Sequence, residues 1–172
     1  MRALSIFLLL CLFSTLVGAQ NPLRDAELLS ADREYAASSA LLTTFIEEHP
    51  QRKYDLSRAY FLHSYNLLQL GQLPEAREAN TASLELRRRL RSENMAENYL
   101  RDAQISLQEG DGERALMEAQ SGMQMLIDDP VVYADLNLFA ARALTFLGRY
   151  DEGWEYLRTA QDVLAIELGE ED

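Results

Sequence analysis

The chain of 172 residues contains a single cysteine, Cys11, and only two histidines. Cys11 lies in an apolar N-terminal stretch, and the rest of the sequence contains no cysteine. The rest of the chain therefore offers no disulfide, no zinc–thiolate site and no thiol nucleophile. His49 and His63 each lack a second histidine at ligand spacing, so the sequence predicts no metal site. A chain of this size can rely on its hydrophobic core for stability.

Positive charge is also scarce, since Lys53 is the only lysine and the formal net charge is −12. Such a charge disfavours binding to nucleic acid and to anionic membrane surfaces. Catalytic motifs are missing as well: the sequence Gly110-Asp111-Gly112 lacks the further glycine and the lysine of a phosphate loop. Paired acidic residues have local explanations, and Asp129 before Pro130 predicts a helix N-cap. The sequence therefore predicts no enzyme and no cofactor.

The N-terminus has the order of a secretory signal peptide. Met1-Arg2 supplies a positive start, Leu4 to Val17 is almost wholly apolar, and Gly18-Ala19 supplies small residues. The apolar run of about 14 residues is shorter than the ~20 that a spanning helix needs. We expect cleavage after Ala19, which removes Cys11, and a periplasmic protein that does not insert into the membrane. A secreted protein, or one anchored by an uncleaved signal, is the alternative.

Glycine is infrequent, at eight residues, yet three glycines recur at a nearly fixed spacing. Gly71, Gly110 and Gly148 are 39 and 38 residues apart. Each follows an apolar run with helical spacing and precedes a second helical run, which predicts pairs of helices joined by short turns. Self-similarity with a period of this size indicates stacked structural units.

Small residues recur at the start of the second helix of each unit. Ala37, Ala76, Ala115 and Gly153 are spaced 39, 39 and 38 residues apart. Small side chains let two antiparallel helices approach closely, as a short turn requires. In the first unit Asp32 stands where the turn glycine is expected. The sequence therefore leaves open whether residues 23–48 form one long helix or a broken pair.

These features resemble the tetratricopeptide-repeat family over residues 23–168. The residues that carry the resemblance are Tyr60, Ser64, Leu67, Gly71, Leu73, Ala76 and Ser83 in the first full unit, Tyr99, Ala103, Gly110, Ala115 and Gly122 in the second, and Ala141, Leu144, Gly148, Tyr150, Gly153 and Ala160 in the third. The period exceeds the family's usual length of about 34 residues. The resemblance implies an all-α fold, a right-handed α-solenoid of antiparallel helix pairs with about three and a half repeats.

On this interpretation a signal peptide at residues 1–19 precedes one helical-repeat domain at 20–172. Its parts are a degenerate first repeat at 23–50, full repeats at about 53–91, 93–128 and 130–168, and an acidic tail at 169–172. Terminal repeats of a stack are atypical because one face meets water, which accounts for a degenerate first unit.

The resemblance also implies a binding surface, because the first helices of successive pairs line a concave face. The residues that it places there are Arg58, Phe61, Tyr65, Gln69, Glu97, Leu100, Gln104, Gln108, Asp135, Leu138, Arg142 and Phe146. Aromatic and arginine side chains favour an extended peptide or a helix of another protein over a small metabolite. The lysine–asparagine clamp of chaperone-binding members has no counterpart at these positions.

Two further features of the sequence each have two interpretations. The arginine run at residues 86–91 is either a basic patch or a set of cations at a helix C-terminus that pair with Glu93 or Glu97. We expect Trp154 to pack the last helix against the rest of the domain, although an exposed last face is an alternative partner site. The sequence thus predicts an exported interaction adaptor. The alternatives are a structural subunit of an envelope complex that uses its last helix and convex face, a small-ligand carrier, and an unrecognised enzyme.

Overall fold

A computed structural model describes residues 21–125 and 128–169. The predicted signal segment 1–19 and most of the acidic tail lie outside these residues. In order, the described helices are α1 (Pro22–Ala31), α2 (Tyr35–Glu48), α3 (Lys53–Gln69), α4 (Leu73–Leu90), α5 (Met95–Glu109), α6 (Gly112–Met123), α7 (Pro130–Phe146) and α8 (Tyr150–Leu168). The described residues contain no strand, and the predicted all-α class is confirmed.

The three turn glycines have the backbone conformation that the sequence predicts. Gly71, Gly110 and Gly148 have φ angles of 73°, 80° and 74°, the left-handed region that glycine enters without steric cost. In the first of these turns, the N–H of Gly71 donates to the carbonyl of Leu68 at 3.1 Å. The N–H of the next residue, Gln72, reaches back to the carbonyl of Leu67 at 2.9 Å. Helix C-terminal carbonyls are satisfied by such bonds, so each glycine ends one helix and turns the chain into the next.

The first turn is built in the same way, but without a glycine. The prediction that Asp32 takes the glycine position is wrong, because Arg33 occupies it with a φ of 65°. The N–H groups of Arg33 and Glu34 donate back into α1 as in the later turns. Residues 23–48 therefore form two helices, α1 and α2, and not one.

The small residues lie where each pair of helices is in contact. Ala76 and Ala115 are fully buried, and a Cβ on Gly153 would lie 3.2 Å from the backbone oxygen of Ala141. The placement of Ala37 in this series is wrong, since Ala37 is exposed and its neighbour Ser38 is fully buried. The offset of one residue follows from the position of the first turn.

The helices form two layers. The first helices of successive pairs contact one another in the order α1, α3, α5 and α7. Among the described residues, the backbones of the second helices α2, α4, α6 and α8 do not approach one another closely, and long side chains bridge them, as where Arg77 of α4 pairs with Glu118 of α6 at 3.1 Å. A stack whose inner helices touch while its outer helices spread apart is curved, with the first helices on the concave side. This arrangement is the α-solenoid that the sequence predicts.

Buried polar side chains join neighbouring helices. Asn66 on α3 accepts a hydrogen bond from Ser30 and donates to Ser38, both at 2.7 Å, which ties α1 and α2 to α3. Asn80 on α4 and Asn98 on α5 donate to each other's oxygen atoms at 2.8 Å. Because buried amides are costly unless they are paired, these bonds fix the register between helices.

Two local predictions have opposite outcomes. The side chain of Asp129 accepts a hydrogen bond from the N–H of Val132 at 3.0 Å, as expected of an N-cap. Trp154, expected to be packed, is 64% exposed. No helix in the described part of the chain is long and apolar enough to cross a bilayer.

Candidate partner-binding groove

The structure leaves all twelve predicted concave-face residues at least partly accessible. Four of them, Arg58, Phe61, Tyr65 and Glu97, line one cavity of about 460 Å³ between α1, α3 and α5. This cavity is the arginine groove. The other eight predicted residues do not line the arginine groove. Binding of a partner by the twelve residues stays a prediction.

Two arginines that the prediction omitted complete the arginine groove. The guanidinium carbons of Arg87 and Arg101 lie 4.3 and 5.1 Å from the centre of the Phe61 ring. The Arg101 carbon also lies 4.8 Å from the centre of the Tyr65 ring. Aromatic faces attract cations, so these rings hold both guanidinium groups in place. The floor of the groove is therefore both aromatic and cationic.

Most charges in the arginine groove are paired within the protein. Arg87 pairs with Glu97 at 2.9 Å and donates to the side-chain oxygen of Asn98 at 2.9 Å. At the rim, Arg58 pairs with Glu27 of α1 at 2.6 Å. The sequence alternative in which the arginine run pairs with Glu97 therefore holds for Arg87.

Arg101 is the exception. Its hydrogen bond goes to the neutral side-chain oxygen of Gln104 at 2.8 Å, and its Nε has no hydrogen-bond partner in residues 21–125 and 128–169. Those same residues place no carboxylate within ion-pair distance of Arg101. Burial lowers the pKa of Arg101 to about 10, so that the side chain is cationic at neutral pH. The groove thus contains a largely buried cation that Glu97 and Asp102 influence from a distance but that no carboxylate of the described residues pairs with directly.

Tyr65 is held from a second direction. The ring of Tyr35, from α2, meets the ring of Tyr65 edge-on with 5.8 Å between their centres. Burial and the hydrogen bond to Tyr35 raise the pKa of Tyr65, so the phenol is neutral at physiological pH. Tyr65 therefore offers the groove an aromatic face and a neutral hydroxyl.

A second cavity, of about 680 Å³, adjoins the arginine groove and shares Asn94 and Glu97 with it. Its other polar side chains are acidic: Glu93, Asp128 and Asp129. The charge is therefore uneven along the stack, with arginines between α3 and α5 and carboxylates at the N-terminal ends of α5 and α7.

The α7 residues of the prediction form an exposed stripe away from the arginine groove. Leu138, Arg142 and Phe146 are exposed, and Asp135 is half-buried, which raises the pKa of its carboxyl. The guanidinium of Arg142 lies 4.7 Å from Phe139 of its own helix. Phe146 lies against the turn between α5 and α6, where a Cβ on Gly112 would be 2.8 Å from its ring.

Comparisons with known proteins bear on the fold alone. No protein-family model and no curated protein matches the sequence. Two crystal structures of MamA, a tetratricopeptide-repeat-like helical protein, are similar at 11% identity each. The first has a TM-score of 0.55 and covers 84% of this chain and 96% of that one. The second has a TM-score of 0.54, with 86% and 92% covered.

The fold is of the tetratricopeptide-repeat type. Its helix pairs, left-handed turn residues and small residues at the pair contacts correspond to the features by which the sequence resembles that family. At this identity the likeness does not extend to partners or to residue roles.

Proposed function

We propose that this chain is an exported adaptor that binds a segment of another protein in the arginine groove. The observation that carries the proposal is Arg101, a largely buried cation without a carboxylate partner among the described residues. A buried charge is costly unless it is paired, and a carboxylate on a bound partner would give Arg101 a direct ion pair. The fold supports a protein-binding role, because it presents an open concave face and a row of accessible side chains.

The chemistry of the groove indicates what the bound segment contains. Arginine binds a carboxylate through two parallel hydrogen bonds, so Arg101 favours an aspartate or a glutamate. Phe61 and Tyr65 lie beside it and offer apolar area to a neighbouring aromatic or aliphatic side chain. The adjoining acidic cavity favours a basic residue farther along the segment. The best fit is a short peptide or helix with an acidic residue next to an apolar one.

Export is part of the proposal and is supported by the N-terminal sequence. A signal peptide at residues 1–19 would place the protein in the periplasm of a bacterium, with its first mature residue at Gln20. The intact mass of the protein recovered from cells, together with fractionation, tests this step. A mass that includes residues 1–19 would favour an uncleaved anchor, and recovery from the medium would favour secretion.

The groove is tested by photo-crosslinking in cells from a light-activated amino acid at position 65, with mass spectrometry of the captured protein. Arg101→Gln should abolish capture, because the amide cannot neutralise a carboxylate, whereas Arg101→Lys should retain part of it. The matched control is Arg89→Gln, which removes the same charge from an exposed position on α4.

Circular dichroism of each variant checks that helix content is unchanged. A captured partner that is retained in Arg101→Gln and lost in Arg89→Gln would contradict the proposal. So would capture that is independent of both arginines.

A further inference from the structure

The last helix, α8, carries a second apolar stripe that the rest of the described chain leaves uncovered. Tyr150, Trp154, Leu157 and Leu164 are 68%, 64%, 37% and 36% exposed. Their spacings of four, three and seven residues place them on one face of the helix. This face, the end stripe, adjoins the buried face of α8, on which Gly153 lies against the backbone of Ala141 in α7 and Ala160 is buried.

The same positions are covered in the preceding pair. Counted from the start of each second helix, Trp154 corresponds to Leu116 and Leu157 to Ala119 of α6. Leu116 is 7% exposed and Ala119 is fully buried, in one core cluster with residues of α7. Each described second helix before α8 thus has a first helix packed on this face, and α8 does not.

The way in which α7 covers α6 defines the missing partner. Near the start of α6, Gly112 lies against Leu147 at the end of α7, and near its end Gly122 lies against Leu136 near the start of α7. The two helices are therefore antiparallel. The covering stripe is formed by Leu136, Ala140 and Ala143 of α7 and by Leu147, its C-cap, at spacings of four, three and four residues. Two alanines at its centre allow close approach.

We propose that the end stripe is a second interaction surface, which takes an amphipathic helix of another protein packed antiparallel on α8. The contact continues the one that α7 makes with α6, so the partner helix presents small and aliphatic residues. Acidic side chains dominate beside the stripe, with Asp151, Glu155 and Asp162 against Arg158. Electrostatic complementarity then requires basic residues along the edges of the partner helix.

A second copy of this chain fits the end stripe less well. The formal net charge of −12 makes two copies repel each other, and an α8–α8 contact would bring the same acidic edges together. At the other end of the described stack, α1 has 10 residues against the 19 of α8, so α1 of a second copy would span about half of α8.

The test uses Trp154, the only tryptophan of the chain, as its reporter. The probe is a synthetic helical peptide with the stripe Leu-x3-Ala-x2-Ala-x3-Leu and lysine at most other positions. Added to the purified protein, it should shift the tryptophan emission to shorter wavelength with saturation, because the ring leaves water. The same peptide with glutamate in place of lysine should bind at least about tenfold more weakly. A lysine peptide of scrambled order should not bind.

The matched variants are Leu157→Glu, in the stripe, and Ile166→Glu, on another face of α8 and 79% exposed. The first should weaken binding of the lysine peptide by at least about tenfold, because it places a charge in an apolar contact. The second should leave the binding unchanged.

Equal effects of the two variants, or an emission spectrum that the lysine peptide does not change, would overturn the proposal. Sedimentation of the protein alone gives a further outcome. A dimer that forms without peptide and that Leu157→Glu dissociates would make a second copy the occupant, and would overturn the assignment to another protein.

Discussion

Arg87 and Arg88 are neighbours in sequence, yet the fold places their side chains in opposite environments. Arg87 is 5% exposed and bonds to α5 and its preceding turn, whereas Arg88 is exposed. The difference follows from the face of α4 that meets α5: Asn80, Leu84 and Arg87 share that face at spacings of four and three residues. A run of arginines therefore does not form one patch, because neighbouring members face different environments.

Asp102 on α5 is a second residue whose properties are changed by its environment, here through the pKa of its carboxyl. Burial raises the pKa of its carboxyl to about 6, and the nearby Glu118 adds to the rise. Its Oδ1 has no hydrogen-bond partner among the described residues, and the ion-pair contact to Arg77 is 3.6 Å long. The charged form of this carboxyl is therefore destabilised in the folded protein.

We predict that Asp102→Asn stabilises the protein above pH 6 and has little effect near pH 4. The folded pKa of about 6 exceeds the ordinary value of 3.8, so the folded state holds the proton more tightly than the unfolded state. The free energy of unfolding of the wild-type protein then falls as the pH rises from about 4 to about 6. It stays lower by the same amount above pH 6. Asparagine carries no charge and removes this loss of stability. We expect the free energy of unfolding to be higher by about 1–3 kcal/mol at pH 7.5.

Urea denaturation at pH 4 and pH 7.5 measures this difference. Asp162→Asn, at an exposed position of α8, is the control and should change stability by less than about 0.5 kcal/mol at either pH. A gain from Asp102→Asn that is the same at both pH values would rule out the titration of Asp102 as its cause.

At the scale of the helix pair, the sequence predicts three of the four turns, because glycine marks each of them. The first turn is displaced by one residue, since Arg33 takes the left-handed conformation there and no glycine marks it. That displacement moves the whole of α2 by one position, so that Ser38 and not Ala37 faces α1. Glycine therefore marks a left-handed turn in the sequence, whereas a turn that uses another residue type, such as Arg33, is not recognisable from the residue alone.

The candidate groove was predictable only in part, for a reason that lies in helix geometry. Positions three and four residues apart fall on nearly the same face of a helix, so periodicity does not choose between Leu100 and Arg101 after Glu97. The resemblance to the repeat family places Leu100 on the concave face, whereas Arg101 lines the groove. The choice is made by packing between α3 and α5, through the rings of Phe61 and Tyr65. Contacts of this kind join residues far apart in sequence.

The packing within a pair leads to a prediction for Ala76. This residue is fully buried at the contact of α3 and α4. Ala76→Leu should lower the free energy of unfolding by about 1–3 kcal/mol, because a larger side chain must displace well-packed neighbours. Ala37→Leu places the same side chain at an exposed position of α2 and should have an effect below about 0.5 kcal/mol. Equal effects in chemical denaturation would contradict the assigned contact face.

At the scale of the whole molecule, the stack is held by contacts between neighbouring helices. In the described chain the backbone of α5 packs against α3, α4, α6 and α7, whereas that of α8 packs against α7 alone and reaches α6 through a hydrogen bond from Gln120 to Tyr156 at 2.9 Å. In such a one-dimensional array the stability of a unit depends on its neighbours, so the end units open at a lower free energy than the central ones. The uncovered end stripe adds to this difference, because it gives α8 no packing on its second face.

We therefore predict that backbone amides of α8 exchange with solvent faster than those of α5, by at least about tenfold, when hydrogen exchange is followed by mass spectrometry. Binding of the lysine peptide to the end stripe should slow exchange in α7 and α8 and leave α1 to α3 unchanged, because it supplies the neighbour that α8 lacks. Leu157→Glu should remove this protection without altering exchange in α5. Uniform exchange along all eight described helices would contradict the prediction, since it would mean that the domain opens only as a whole and that coverage of its last helix does not limit its stability.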